Sequence, residues 1–191
     1  MKSLSVIALA LLIALGLGLV GNLAVADDKE TQKGEGQEIV LDVYGVECAG
    51  CARALTAALE EGGVEKASRL APGRDKTAPV RVEAQLAEDA DLSKAATAVN
   101  DARTPHRAKA PPALALVLFT DAGEESTKKL AESLKDVKGV DAKKSKADAR
   151  KGEIRLILTG DDEITIVQIV EALDQGGIEA RTSKKAAKKQ A

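Results

Sequence analysis

Apolar and polar residues alternate along Ile39-Val40-Leu41-Asp42-Val43-Tyr44, a pattern that predicts a strand. Over residues 52–60 the period lengthens: Leu55 and Leu59 fall one turn apart, which predicts a helix, and Gly62-Gly63 ends it. Residues 64–70 read as a second strand and Pro72-Gly73-Arg74-Asp75 as a turn. Val80-Arg81-Val82-Glu83-Ala84 alternates again as a third strand. Asp91 is placed to cap a helix carrying Leu92, Ala95, Ala96 and Val99, and Thr104-Pro105 stops it. Residues 106–110 read as a short closing strand.

After Pro111-Pro112 the order repeats. Residues 114–119 predict a strand, 124–137 a helix, 140–145 a strand and 153–158 a stronger one. Asp161 or Asp162 is the expected cap of a helix with Ile166, Ile169, Val170 and Leu173. Gly176-Gly177 ends that helix, and 178–181 form a last short strand. At an offset of about 75 residues, Leu41 falls on Leu116, Tyr44 on Phe119, Leu55 on Leu130 and Leu59 on Leu134. The reading is an α+β chain of two tandem ferredoxin-like units, each β-α-β-β-α-β, over 38–110 and 113–182.

The flanks carry different signals. Met1-Lys2-Ser3 gives a positive start, residues 6–20 are uncharged and apolar, and Ala24-Val25-Ala26 has the small–x–small pattern of a cleavage point. Residues 1–26 therefore read as a secretory signal peptide, too short in its apolar run to be a stable membrane span. Residues 27–37 are a polar, Gly-containing tether, and 183–191 are a Lys-rich tail. The expected location is exported, periplasmic or secreted.

Composition narrows the function. Alanine dominates the 45% apolar content, and Tyr44 and Phe119 are the only aromatics, so the core is aliphatic and thin. A net charge of −2 offers no general attraction for polyanions, and the lack of stacking side chains argues against single-stranded nucleic acid. No Gly-rich loop has phosphate-binding spacing, and the carboxylates form no recognisable acid/base pair, so no enzyme activity is expected.

What chemistry there is gathers at Gly45-Val46-Glu47-Cys48-Ala49-Gly50-Cys51. Both cysteines of the chain lie here, three residues apart, where a strand turns into a helix. A helix N-terminus favours thiolate over thiol, and thiolates bind soft and borderline metal ions. In an exported protein the pair can also be a dithiol for redox exchange, or an inert disulfide in an interaction module. At the repeat offset Cys48 falls on Gly123 and Cys51 on Ser126, so the second unit keeps the scaffold without the thiols.

A βαββαβ unit of about 70 residues with Cys-x-x-Cys in its first loop resembles the heavy-metal-associated domain family. Copper chaperones, the periplasmic mercury-binding protein and the N-terminal modules of metal-transporting P-type ATPases share that fold. The family signature G-M-x-C-x-x-C is matched at Gly45, Cys48 and Cys51, with Val46 in place of the buried Met. The resemblance implies Cys48 and Cys51 as ligands of a heavy-metal ion, Cu(I) first and Zn(II), Cd(II) or Hg(II) behind it. It implies as partner a metal-transporting ATPase or another thiol-bearing acceptor.

Glu47 stands where copper-type members often carry Thr or Ser, and an acidic residue there is similar to zinc-, cadmium- and lead-handling transporters. It is thus an auxiliary-ligand candidate, or a solvated carboxylate. His106, the sole histidine, precedes the last strand in a loop that approaches the metal loop in this family. It is a second auxiliary candidate, or an exposed side chain beside Arg103 and Arg107. A thioredoxin-type oxidoreductase also starts a helix at Cys-x-x-Cys, but as one larger unit with an aromatic residue where this chain has Glu47.

Overall fold

The computed structural model describes residues 36–73, 75, 77–87, 89–105 and 111–184, all within one compact unit, Lys33–Ala191. The signal peptide, nearly all of the tether, the closing strand expected at 106–110 and the tail beyond Lys184 lie outside them. The described residues form, in order, β1 (Gln37–Tyr44), α1 (Ala49–Glu61), β2 (Val80–Leu86), α2 (Leu92–Asn100), β3 (Ala113–Phe119), α3 (Glu124–Ser133), β4 (Lys146–Asp148), β5 (Glu153–Leu158) and α4 (Ile166–Gln175). The fold is α+β: one antiparallel sheet in the order β2-β1-β3-β5-β4 with helices packed on it.

Alternation sets the two faces of the sheet. Ile39, Leu41 and Val43 of β1, Leu114, Leu116 and Leu118 of β3, and Ile154, Leu156 and Leu158 of β5 point to one face. Leu55 and Leu59 of α1, Leu92 and Val99 of α2, Leu130 of α3, and Ile169 and Leu173 of α4 pack there in a single core. Val40, Val117 and Phe119 form a smaller cluster on the opposite face. β3 is Leu- and Val-rich on both sides, and six of its seven residues are buried, the pattern of a strand at the middle of a sheet.

β3 also explains how the halves join. In a closed βαββαβ unit the last strand lies beside the first. Here β3 pairs with β1 from Val40↔Val117 to Tyr44↔Ala113, so it closes the first half and opens the second. Two self-contained sheets were the expectation; the described strands make one, with one core drawn from both halves. Asp91 stitches the halves again. Its carboxylate accepts the Ser93 N–H at 2.9 Å, capping α2, and the Ile164 N–H at 3.1 Å from the loop before α4.

Several local expectations change. Residues 64–70 form no continuous strand: they bridge β2 at Glu65↔Gln85 and again where the Ser68 N–H donates to the Glu83 carbonyl at 2.9 Å, and between the two Lys66 adopts φ +50 and breaks the extended run. In 140–145 only Val140 pairs, with Leu158; the Asp141 carboxylate collects the N–H groups of Lys143 and Lys144 in a turn, and pairing resumes at β4. α3 stops at Ser133 with Leu134 as C-cap, short of Val137. α4 is capped by Thr165 in a capping box with Gln168, not by Asp161 or Asp162. Of 178–181, Arg181 alone pairs, with Phe119.

Candidate functional site

The cysteine loop is built from backbone constraints. β1 ends at Tyr44, paired to Ala113. Gly45 turns the chain at φ +83, a conformation costly for any residue with a Cβ. A Cβ there would also lie 3.1 Å from Pro112 Cα. Val46, 3% exposed, plugs the loop into the core, the apolar role expected of the signature's second position. The Glu47 N–H donates to the Gly45 carbonyl at 3.0 Å, which tightens the turn.

Cys48 is extended, at φ −149 and ψ 163, and serves as the N-cap of α1. Its sulfur accepts the Cys51 N–H at 3.0 Å and its carbonyl accepts the Ala52 N–H at 2.8 Å. Sulfur thus does what a Ser or Asp oxygen usually does at this position. The first turn of α1 holds no acidic residue, so nothing within the helix offsets its positive end where the sulfur sits. Cys48 is half-buried, whereas Cys51 is fully buried.

The two Cα atoms are 5.0 Å apart, and the sulfurs are joined as a disulfide. An N-cap and the third residue of the following turn fall within the range that a disulfide spans. Of the states expected for the pair, thiolates, a redox dithiol or a disulfide, the structure holds the disulfide. Metal capture therefore requires a reduced pair.

Glu47 is half-buried and makes no three-donor group with the sulfurs: among the described residues no set of three or more His, Cys, Asp or Glu is placed to hold a metal ion. His106 lies outside the described residues. The loop that carries it does meet the cysteine loop, through Pro105, whose Cγ would lie 2.9 Å from a Cβ on Gly50. Among the described residues the donors gathered at this loop are the two sulfurs.

The counterpart of this loop precedes α3, where Gly123 is the N-cap, 75 residues after Cys48, with no side-chain cap bond. β1 and β3 run antiparallel, so the loops that follow them lie at opposite ends of the sheet. The α3 loop therefore cannot lend a donor to the cysteines.

The sheet face opposite the main core carries an ionic network that no sequence pattern announces. Asp42, 1% exposed, accepts from Arg81 Nε at 3.0 Å and Arg155 Nε at 2.6 Å. Arg81 also donates to both oxygens of Glu153, and Lys184 lies 3.6 Å from Glu153 and over the Phe119 ring. The Arg81 bonds hold the Glu153 carboxyl below its ordinary range against the opposing effect of burial. Bonds from Glu153 and then Asp42 push the Arg81 guanidinium upward. Charged residues at alternate strand positions were the only available signal, and alternation alone does not say which of them pair.

No family model matches the chain, and no curated protein matches it. Among solved structures, the chain is similar to the solution structure of the N-terminal soluble domains of Bacillus subtilis CopA, at 14% identity and a TM-score of 0.32, over 78% of this chain and 95% of that one.

Proposed function

We propose that this is an exported metal-binding protein whose Cys48 and Cys51, once reduced, hold one soft or borderline ion. Cu(I) is favoured, with Zn(II), Cd(II) or Hg(II) as alternatives. The observation that carries the reading is a pair of sulfurs on the first turn of α1, one capping the helix and one buried, with Cα atoms 5.0 Å apart. The ion would pass by ligand exchange, an acceptor's thiolate entering as one of these leaves, and the acceptor would be a metal-transporting ATPase or a similar thiol-bearing protein. No bond of an organic substrate is broken, so the protein is not an enzyme on this reading. The cysteine-less half acts as scaffold or docking surface. Among the described residues no helix is long and apolar enough to cross a membrane.

The test is Cu(I) titration of reduced protein against a competing chelator, beside Cys48→Ser. The variant should lose at least a hundredfold in affinity; an unchanged affinity would sink the reading. Elemental analysis of protein purified anaerobically from its own compartment then gives the metal.

The disulfide favours a second reading, thiol–disulfide exchange. There the pair takes two electrons and two protons from a partner dithiol and becomes two thiols, while the partner becomes a disulfide. An insulin-reduction rate no faster than that of free dithiothreitol would rule it out.

A further inference from the structure

A cavity of about 570 Å³ opens between α3 and the β4–β5 turn, at the edge of the sheet that β3 and β5 separate from β1. Five cationic and three acidic side chains line it. The acids are largely engaged within the protein. Glu153 takes two bonds from Arg81, and Lys184 lies 3.6 Å from it. Asp148 accepts the N–H groups of Arg150 and Lys151 and lies 3.7 Å from Lys151 Nζ. Glu124 remains at the wall, one turn of α3 before Lys128.

The cations are far less engaged. Lys128, Lys146 and the Arg150 side chain make no hydrogen bond or ion pair among the described residues. Arg155 is the fixed member. Its Nε donates to Asp42 at 2.6 Å, and its terminal nitrogens have no partner among the described residues. Its side chain is 34% exposed, so the guanidinium is held and yet reachable. Lys146 is its register partner across β4 and β5, which puts both side chains on one face.

We propose that this cavity binds a small polyanion carrying two or more phosphate or carboxylate groups. The free side of a guanidinium already anchored by a carboxylate is a ready fork for an oxyanion. The remaining cations stand on α3, β4 and the turn, so they suit anionic groups spaced apart better than a single ion. The volume is that of a small-molecule site. The chain's net charge of −2 gives polyanions no general attraction, so binding has to come from this local excess of cations. The site is remote from the cysteines in the sheet order and independent of the metal reading.

The experiment is isothermal calorimetry of the protein at low salt with pyrophosphate, citrate and inorganic phosphate. It is repeated for the double variant Lys128→Ala/Lys146→Ala, for Arg155→Lys, and for Lys135→Ala, an exposed lysine outside the cavity. Pyrophosphate or citrate should bind about tenfold more tightly than inorganic phosphate, and the tighter of the two names the group recognised. The double variant should weaken that binding about tenfold, Arg155→Lys should weaken it by losing the fork, and Lys135→Ala should leave it unchanged. Lys128 and Lys146 are exposed, so the double variant should fold, which a thermal melt checks. Amide shifts on titration should concentrate at residues 146–151. If neither pyrophosphate nor citrate binds more tightly than inorganic phosphate, or if the double variant stays within twofold of wild type, the proposal is overturned.

Discussion

Arg81 reaches Glu153 with two parallel N–H···O bonds of 2.9 and 3.0 Å, joining β2 to β5 although two strands lie between them. With Asp42 and Arg155 this makes a cross-sheet tie of four side chains, two of which are almost fully buried. Removing Arg81 leaves Asp42 to Arg155 alone and Glu153 to the more distant Lys184, both carboxylates still buried. Arg81→Met should therefore cost about 1–3 kcal/mol, below the cost for a fully buried pair because Arg81 is 40% exposed. Urea denaturation at pH 7 measures it.

The same tie sets an acid limit. Glu153 is held below its ordinary value of 4.5, so its contribution is fully present above pH 4.5 and is lost as pH falls through the folded value. Asp91 acts in the same sense: burial pushes it up, but the Ser93 hydroxyl and N–H, the Ile164 N–H and Lys94 bring it below 3.8. The melting temperature should hold from pH 7 to 5 as far as these groups decide it, and fall below pH 4.5. In Glu153→Gln it should start lower and fall less steeply.

Asp91→Ala removes an N-cap and the bond to Ile164 at once. A loss of about 1–2 kcal/mol is expected, above that of a simple cap. Hydrogen exchange should quicken at Ser93 and also at Ile164, 71 residues away in the chain yet bonded to the same oxygen. Quickening at Ser93 alone would mean that the link between the halves carries no weight.

Much of this was legible in advance, and the failures have a common cause. β1, β2 and β5 follow from alternation and β3 from its continuous apolar run, and Asp91 is identifiable as a cap from its place before an apolar helix face. The cap of α4 is Thr165 and not Asp161 or Asp162: Thr-x-x-Gln is a capping-box signal, but two aspartates nearby are the stronger single-residue caps. Residues 64–70 and 140–145 look like strands by composition, but one left-handed lysine and one turn-forming aspartate undo them. The closing of two units by one strand was not readable, since β3's pattern says that it is central and not to what. At the site, the spacing revealed the sulfurs, while the prolines over Gly45 and Gly50 come from about 60 residues further along, beyond the reach of any local pattern.

Gly45 and Gly63 separate backbone strain from packing. Both have positive φ, +83 and +84, but a Cβ on Gly63 meets nothing within 4 Å. Gly63→Ala should cost about 1 kcal/mol of strain. Gly45→Ala adds a collision with Pro112 and should cost more, roughly 2–3 kcal/mol, and alter the rate of alkylation at the reduced cysteines. Equal costs would show that the Pro112 contact yields freely.

Leu116 is fully buried at the middle of β3. Leu116→Ala should cost about 3–5 kcal/mol. Because the core is common to both halves, circular dichroism and Tyr44 fluorescence should report one transition before and after the change. Two separated transitions would show two independent cores.

Exposure predicts an order of reaction. In the reduced protein, Cys48 should be alkylated at least tenfold faster than Cys51, which has no accessible surface. Peptide mapping after brief iodoacetamide treatment gives the ratio.

A strand held in common by two units cannot be inherited by only one of them. A fragment ending at Pro111 would keep both cysteines, yet it would leave Val40 to Tyr44 with bare peptide groups, an edge ready to recruit its own twin. Ala113 and Pro112, which seat Tyr44 and Gly45, would go with the missing part. Proteolytic nicking far from the sulfurs in sequence would thus register at them first.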